Sequence, residues 1–254
     1  MISGSIVAHK SRERWAIDLS DQLGFPITWD FEENEIDTHL RALKAHDPNA
    51  TYHLTIEDDA IVSPHLLSAL IDLIPAADNQ PISLYYGQTR PYPLPTQEAL
   101  TLADSYGANL IRAPGPLWGV AVAHPVSLLP AVIAGYESDI ARTSDIRVFK
   151  TYGKMGIRTL YTIPSLVDHR VSPSLTYQRP KGIRVAYRYS DSPLDWSSPL
   201  IFNYDDEAKL PSGSPAKAPT KISFIHRVTG EKREVWGGSN IEKRMEGSKD
   251  WVRV

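Results

Sequence analysis

The chain has 254 residues, of which 42% are hydrophobic and 22% are charged, and its formal net charge is −3. These proportions are typical of a globular protein that is long enough to bury a substantial core, and the negative charge argues against a surface built mainly to neutralise nucleic-acid phosphates. There is no cysteine, which excludes disulfide bonds, thiolate metal sites and cysteine nucleophiles. Any metal ligand must therefore be an oxygen or an imidazole nitrogen.

The amino-terminal segment does not resemble a secretion signal. Charged residues follow immediately after a short apolar run in MISGSIVAHKSRERW, and no later segment is long and apolar enough to cross a bilayer. We therefore expect no membrane span and a cytoplasmic location.

Strand and helix patterns alternate along the first two hundred residues. In chain order they predict strand Ile2–His9, a helix from Ser11 to Leu23, strand Phe25–Trp29, helix Glu35–His46 and strand Thr51–Ile56. They continue with a helix that has Ser63 as N-cap and Pro64 as first residue, strands Pro81–Tyr86 and Gly119–Ala123, helix Ala141–Tyr152 and strand Ile157–Ile163. This alternation favours an α/β sheet with helices on its faces.

The composition changes near the carboxyl end. Residues 206–220 are rich in proline, serine, alanine and lysine and predict a linker between a main domain, 1–205, and a small module, 221–254. The module pattern predicts two strands around Thr229-Gly230-Glu231, a polar helix near Ile241 to Met245 and a final apolar pair, Trp251-Val252. Because so short a segment buries little core, we expect it to dock on the main domain or on a partner.

Three consecutive acids, Glu57-Asp58-Asp59, directly follow the predicted third strand. Neighbouring carboxylates repel one another and are costly to desolvate, so a shared divalent cation would explain their position. Magnesium and manganese accept carboxylate and phosphate oxygens together. The alternative is that the acids face water and favour the start of the next helix.

The order strand, Glu57-Asp58-Asp59, Ala-Ile-Val, Ser-Pro, helix resembles the metal-binding segment of GT-A glycosyltransferases, particularly the lipooligosaccharide-type enzymes. The resemblance implies an α/β GT-A fold, a Rossmann-like mixed sheet flanked by helices, here with a small carboxyl-terminal α+β appendage. It also implies a nucleotide-diphosphate sugar as donor, such as a UDP-sugar, together with Mn²⁺ or Mg²⁺. Asp59 would be a direct metal ligand, with Glu57 and Asp58 as ligands or as contacts to the ribose and sugar.

Other segments match the same family along residues 2 to 190. The first strand and its loop imply donor contacts from Ala8, His9 and Arg12, and the stretch DFEENEID offers acids such as Asp30 to uridine or ribose. Trp118 and Gly119, in PLWGVA, resemble the segment that lines the donor-sugar and acceptor pocket. The open alternatives are a solvated surface for Arg12 and a core position for Trp118.

Two later segments complete the resemblance. Asp145, in TSDIR, matches the acid from which inverting members draw a general base, and His169, in PSLVDH, matches a histidine that completes the metal shell or touches the diphosphate. Helix capping by Ser144 or Asp145 and a structural role for His169 remain open. Positive charge over the diphosphate or an acidic acceptor is expected from the later basic residues, namely Arg179, Lys181, Arg184 and Arg188.

These features predict a metal-dependent glycosyltransferase that acts on a hydroxyl-bearing acceptor, whether protein, glycan or modified DNA base. Tyr85, Tyr86 and Tyr92 are candidates for stacking on sugar rings, although packing is the alternative. The terminal module resembles tail pieces of bacteriophage proteins, which implies a phage-encoded enzyme in the host cytoplasm. Alternatives are a nucleotidyltransferase, although IVAHKSRERW lacks a glycine-rich phosphate loop, and a non-catalytic carbohydrate-binding or phage structural protein with a structural cation.

Overall fold

The computed structural model describes residues 1–87, 93–141, 143–171, 175, 184–204, 221–226, 232–236, 249 and 251–253. The helices are α1 Glu13–Leu23, α2 Glu35–Lys44, α3 Leu66–Ala77, α4 Pro93–Ser105, α5 Leu129–Ser138 and α6 Ser144–Lys154. Within the described part of the chain, no helix is long and apolar enough to cross a membrane.

Eight strands form one mixed sheet. They are β1 Ile2–His9, β2 Ile27–Asp30, β3 Tyr52–Glu57, β5 Ile82–Ser83, β6 Leu110–Pro114, β7 Ala121–Pro125, β8 Arg158–Thr162 and β10 Ile201–Asn203. Their order is β10-β6-β8-β5-β7-β3-β1-β2, and a separate two-stranded sheet joins β4 Ala60–Val62 to β9 Val167–His169. The predicted α/β class is therefore confirmed, in a form compatible with a Rossmann-like fold.

Three neighbouring parallel strands bring their carboxyl ends to one edge of the sheet. In the ladder between β1 and β2, His9 lies opposite Asp30, and in the ladder between β1 and β3, Val7 lies opposite Glu57. The next strand, β7, runs antiparallel to β3, so the residues just before it lie at the same edge, where Glu57 N–H donates to the Val120 carbonyl oxygen. Segments far apart in the sequence thus meet where β1, β2 and β3 end.

Helices cover both faces of this part of the sheet. Leucines of α1 and α3 pack with Leu54 and Ile56 of β3 in one apolar cluster. On the other face, α2, α5 and α6 share a second cluster, and His53, which alternates with Leu54 along β3, donates from Nε2 to the Ala42 carbonyl oxygen of α2 at 2.9 Å. That face thus carries buried polar side chains beneath the helices.

Several predicted boundaries move. The prediction that Ser63 caps the helix and Pro64 begins it is wrong, because α3 begins at Leu66 with His65 as its N-cap. The hydroxyl of Ser63 instead accepts from His65 N–H at 3.3 Å in the preceding turn. The predicted helix Ala141–Tyr152 corresponds to α6, which begins at Ser144 and ends at Lys154. The predicted strand Gly119–Ala123 corresponds to β7, which runs from Ala121 to Pro125. The sequence patterns did not predict the helices α4 and α5 or the strands β4, β6, β9 and β10.

The carboxyl-terminal segment contains a three-stranded antiparallel sheet with the order β12-β11-β13. Its strands are β11 Lys221–His226, β12 Lys232–Trp236 and β13 Trp251–Arg253. The two predicted strands are thus confirmed, and the last apolar pair belongs to a third strand. The predicted linker 206–220, the turn Thr229-Gly230-Glu231 and the predicted helix near Ile241 lie outside the described residues.

Candidate metal centre and adjoining cavity

Two strand ends bring acidic and imidazole side chains together. Glu57 is the last residue of β3, Asp59 lies in the turn before β4, and His169 ends β9, where it pairs with Ala60. One potential ligand atom from each of Glu57, Asp59 and His169 lies within 4.8 Å of the others. The predicted metal residues Asp59 and His169 are therefore neighbours, although more than a hundred positions separate them in the sequence.

The hydrogen bonds of His169 fix its tautomer. Its Nδ1 lies 2.6 Å from the Arg170 carbonyl oxygen, which can only accept, so Nδ1 carries the proton. Burial lowers the pKa of His169 below its usual value, although Asp59 opposes this effect. The ring is therefore neutral, and Nε2 presents a lone pair. Metal-binding histidines commonly donate their other N–H to a backbone carbonyl in this way.

This lone pair lies 3.3 Å from Asp59 Oδ2, and both side chains are 1% exposed. Two buried acceptors at this distance repel one another unless a proton or cation lies between them. Neither His169 Nε2 nor Asp59 Oδ1 has a hydrogen-bond partner. Adjacent ligands of an ion bound at about 2.1 Å are themselves about 3 Å apart. Asp59, His169 and Glu57 therefore fit a hard divalent cation.

The pKa of Glu57 agrees with this interpretation. Burial raises it well above the usual value for glutamate, and the charge of Asp59 raises it further, while Arg184 opposes both effects. A carboxylate is costly to hold in such surroundings without a cation. The arrangement therefore favours cation binding over a set of solvated helix-start acids.

Asp58 plays a different part from its neighbours. Its Oδ2 accepts from His9 N–H at 2.8 Å and its Oδ1 accepts from Arg12 Nη1 at 2.9 Å. The same Nη1 lies 2.7 Å from Asp59 Oδ2. Burial lowers the pKa of Arg12, but Asp59, Asp58 and Glu57 outweigh it and raise the pKa above the usual value. Asp58 thus ties the loop after β1 to the acidic turn.

A cavity of about 480 Å³ opens beside these residues. Its walls include most of the residues predicted for the donor, the metal and the base, namely Ala8, His9, Arg12, Asp30, Glu57, Asp58, Asp59 and Asp145. Arg184, one of the basic residues expected to lie over the diphosphate or an acidic acceptor, also lines the cavity. Arg188 is instead paired with Asp104, and Arg179 and Lys181 lie outside the described residues.

Two of the cavity acids also organise the local backbone. Asp30 Oδ1 accepts from the backbone N–H of Glu32 and Asn34, at 3.2 and 2.9 Å, and so shapes the turn before α2. Glu35 Oε1 accepts from both the backbone N–H and the hydroxyl of Ser144. This second contact joins the amino ends of α2 and α6 across the cavity.

Asp145 lies in the first turn of α6, where it both accepts from a backbone N–H of the helix start and lines the cavity. Thr143 is the N-cap residue and makes no side-chain capping bond, and Asp145 Oδ1 accepts from the adjacent Ile146 N–H at 2.8 Å. A β-carbon added to Gly119 would lie 3.2 Å from Glu57 Oε1 and 3.6 Å from Asp145 Cβ. These two distances limit the separation of Glu57 Oε1 and Asp145 Cβ to about 7 Å.

Trp118 is partly buried and packs against aromatic residues of the core. Its ring centroid lies 5.8 Å from that of Tyr85, 5.4 Å from Tyr86 and 6.0 Å from Tyr161. Tyr85 and Tyr86 are each 3% exposed, so the expectation that they stack on sugar rings is wrong, because the rings pack on one another. Trp118 and Gly119 line a small void behind Asp145, while Tyr92 lies outside the described residues.

The sequence patterns missed three residues that line the cavity, namely Thr38, His39 and Leu175. Thr38 and His39 lie on α2, where His39 is one helical turn from Glu35. The signal available for His39 was its spacing from Glu35, which places both on one face of the helix. Nothing in the local sequence indicated that α6 would pack there.

The cavity thus combines a cation site, two arginines and a carboxylate across a gap, which suits binding of a metal-chelated anion beside a group that accepts a proton. Comparison with protein-family models and with curated proteins finds no match to this chain.

Proposed function

We propose that the protein is a metal-dependent glycosyltransferase that transfers a sugar from a nucleotide-diphosphate donor to a hydroxyl acceptor. The observation that carries this proposal is the convergence of Glu57, Asp59 and His169 beside one cavity, with Asp145 across it. The segments that contribute these residues are the ones that resemble GT-A glycosyltransferases. Their meeting at one sheet edge supports a common function for them.

The residues that would hold Mn²⁺ or Mg²⁺ are Asp59, His169 and Glu57. A cation bound there would neutralise the charge that develops on the leaving diphosphate. Arg12 and Arg184 line the same cavity, and a guanidinium matches phosphate oxygens in geometry and charge. The chain thus offers the leaving group positive charge from several directions.

Asp145 is the proposed general base for an inverting transfer. Glu57 Oε1 and Asp145 Cβ are at most about 7 Å apart on either side of Gly119, and we propose that the anomeric carbon of the donor and the acceptor hydroxyl meet beside them. Asp145 would orient that hydroxyl and take its proton as the new bond forms. Gly119 keeps the gap open because it carries no side chain.

The acceptor is proposed only as a class, a hydroxyl on a glycan, a protein side chain or a modified DNA base. The described residues offer no stacked aromatic platform in the cavity, because Tyr85, Tyr86 and Trp118 pack on one another. Acceptor recognition is therefore expected from the polar groups at the start of α2 and α6 or from the carboxyl-terminal sheet.

A panel of sugar nucleotides, each with Mn²⁺ or with EDTA, tests the donor half. We expect one donor to raise the unfolding midpoint of the wild type in a metal-dependent way and to be hydrolysed slowly, because a ligand at a hundred times its Kd stabilises the folded state by about 2.7 kcal/mol. Asp59→Ala should lose both effects. Asp18→Asn, on the exposed face of α1, is the matched acidic control.

The failures of this panel are distinguishable. If no sugar nucleotide stabilises the wild type in a metal-dependent way, the glycosyltransferase proposal is wrong. Stabilisation by Mn²⁺ alone, without turnover of any donor, would instead identify a non-catalytic protein with a structural cation. Cleavage of the donor to a nucleoside monophosphate and a sugar 1-phosphate, in place of a nucleoside diphosphate, would identify attack at phosphorus, as in a nucleotidyltransferase.

The role of Asp145 is tested separately. Asp145→Asn should bind the donor as the wild type does while transfer to the acceptor is lost, since the amide cannot accept the proton. Transfer that persists in Asp145→Asn would remove this residue as the base and would favour a retaining reaction, while the metal site would be unaffected.

A further inference from the structure

The guanidinium of Arg12 occupies the acidic turn that we propose as the metal site. Its Nη1 lies 2.9 Å from Asp58 Oδ1 and 2.7 Å from Asp59 Oδ2, and the side chain is only 11% exposed. The carboxylates Asp59, Asp58 and Glu57 raise the pKa of Arg12 against the effect of burial. Arg12 therefore supplies the positive charge nearest to the candidate ligands.

This position conflicts with a bound metal. Asp59 Oδ2 faces His169 Nε2 at 3.3 Å and Arg12 Nη1 at 2.7 Å. With metal to ligand bonds of about 2 Å, an ion held by Asp59 and His169 would lie within about 5 Å of Arg12 Nη1. Two positive charges at that range repel strongly in partly buried surroundings. Asp59 cannot serve both cations equally well.

We propose that Arg12 is the counter-cation of the metal-free site, and that metal binding releases its guanidinium from Asp59 to the diphosphate of the donor. The inference rests on the proposed metal site and adds the class of ligand that Arg12 takes, a diphosphate chelated by the metal. It explains why Arg12 contacts Asp59, a carboxylate that the metal would otherwise need.

The surroundings of Arg12 permit such a movement. The Cζ atom of Arg12 lies 5.8 Å from the centre of the Trp15 ring, and the Cζ atom of Arg170 lies 5.3 Å from the same centre. The cation–π contact with Trp15 would continue to stabilise the Arg12 guanidinium when its hydrogen-bond partners change from carboxylates to phosphates. Arg12 directly precedes α1, so the side chain turns about a fixed backbone next to a helix amino end, where phosphate is favoured. A bidentate guanidinium then adds two charge-assisted hydrogen bonds.

Calorimetric titration of the full chain with MnCl₂ alone, and then with methylenediphosphonate at saturating Mn²⁺, tests the proposal. For Arg12→Gln we expect Mn²⁺ to bind at least about tenfold more tightly, because a repelling charge has gone. The same variant should bind the diphosphonate at least about tenfold more weakly. Arg14→Gln, an exposed arginine in the first turn of α1, should change neither affinity. A merely structural role for Arg12 would weaken both.

The outcomes separate the two proposals. If Arg12→Gln binds Mn²⁺ no more tightly than the wild type, Arg12 does not compete with the metal and this inference is wrong, whereas the proposed function stands. If the wild type does not bind Mn²⁺, the metal site itself is wrong and both proposals fall.

A second variant and an optical readout cover the case in which Arg12→Gln does not fold. Arg12→Lys keeps the charge but lacks the planar fork, so it should bind Mn²⁺ like the wild type and the diphosphonate more weakly. Mn²⁺ should also change the emission of Trp15, measured as the difference between wild type and Trp15→Phe. An emission that Mn²⁺ leaves unchanged would mean that Arg12 stays in place.

Discussion

Acid sensitivity of the folded state follows from a histidine beneath the cavity. His39 is 4% exposed, and burial, helped by the nearby His53, lowers its pKa from 6.5 to about 4. When folding lowers the pKa of a histidine, the unfolded chain binds the proton more readily than the folded one. The free energy of unfolding is therefore unaffected above pH 6.5, the pKa of the unfolded state, and falls as the pH decreases from 6.5 towards 4. At pH 5 the loss from this one ring is about 2 kcal/mol relative to pH 8.

The substitution His39→Phe isolates this contribution. His39 Nε2 has no hydrogen-bond partner, and the ring stacks on Tyr136 with centroids 5.8 Å apart, so phenylalanine preserves the stack and removes only the titration. Urea unfolding in EDTA at pH 8 and pH 5 should show that the wild type loses about 2 kcal/mol more than the variant. His65→Phe, a partly exposed ring, is the control. Equal losses in wild type and His39→Phe would refute the reasoning.

Further predictions concern glycines whose missing side chain matters. Gly119→Ala would bring a methyl group 3.2 Å from Glu57 Oε1. We expect donor turnover to fall while the unfolding midpoint changes little. Turnover equal to that of the wild type would show that the space between Glu57 and Asp145 is not used by the substrates. Gly4→Ala would bring a methyl group 2.5 Å from the Phe25 ring and should cost about 1–3 kcal/mol in urea unfolding. Gly153→Ala, whose methyl would meet nothing within 4 Å, is the control for both, and equal stability of Gly4→Ala and Gly153→Ala would contradict the second prediction.

The sequence predicted the place of the acidic run in the sheet, because acids directly after a strand must lie at its carboxyl end. The grouping of His9 and Asp30 with Glu57 was implied by the family resemblance, and the ladders of β1 with β2 and β3 bring these residues to one edge. The proximity of His169 rested on the family resemblance alone. The pairing of β4 with β9 that brings it to Asp59 is long-range, and no local pattern encodes it.

The predictions that failed depend on tertiary contacts. Ser63 has the sequence context of a helix cap, yet its N–H bonds to the Leu166 carbonyl oxygen as an extension of the short β4–β9 sheet, and α3 begins three residues later at Leu66. Tyr85 and Tyr86 follow a strand at the right edge, but their rings turn into the core against Trp118. Local sequence assigned these residues to a strand end, and packing determined which side of that end they face.

The charges around the cavity impose an order on the proposed reaction. Seven of the described lining residues are carboxylic acids, against the two arginines Arg12 and Arg184, and Arg12 is already bound to Asp58 and Asp59. A nucleotide diphosphate entering alone would meet this excess of negative charge, which repels it. A divalent cation reduces this excess by its own charge and, on our proposal, frees Arg12 for the phosphates. Metal binding should therefore precede donor binding, so donor affinity should rise with Mn²⁺ concentration until Asp59 and His169 are saturated.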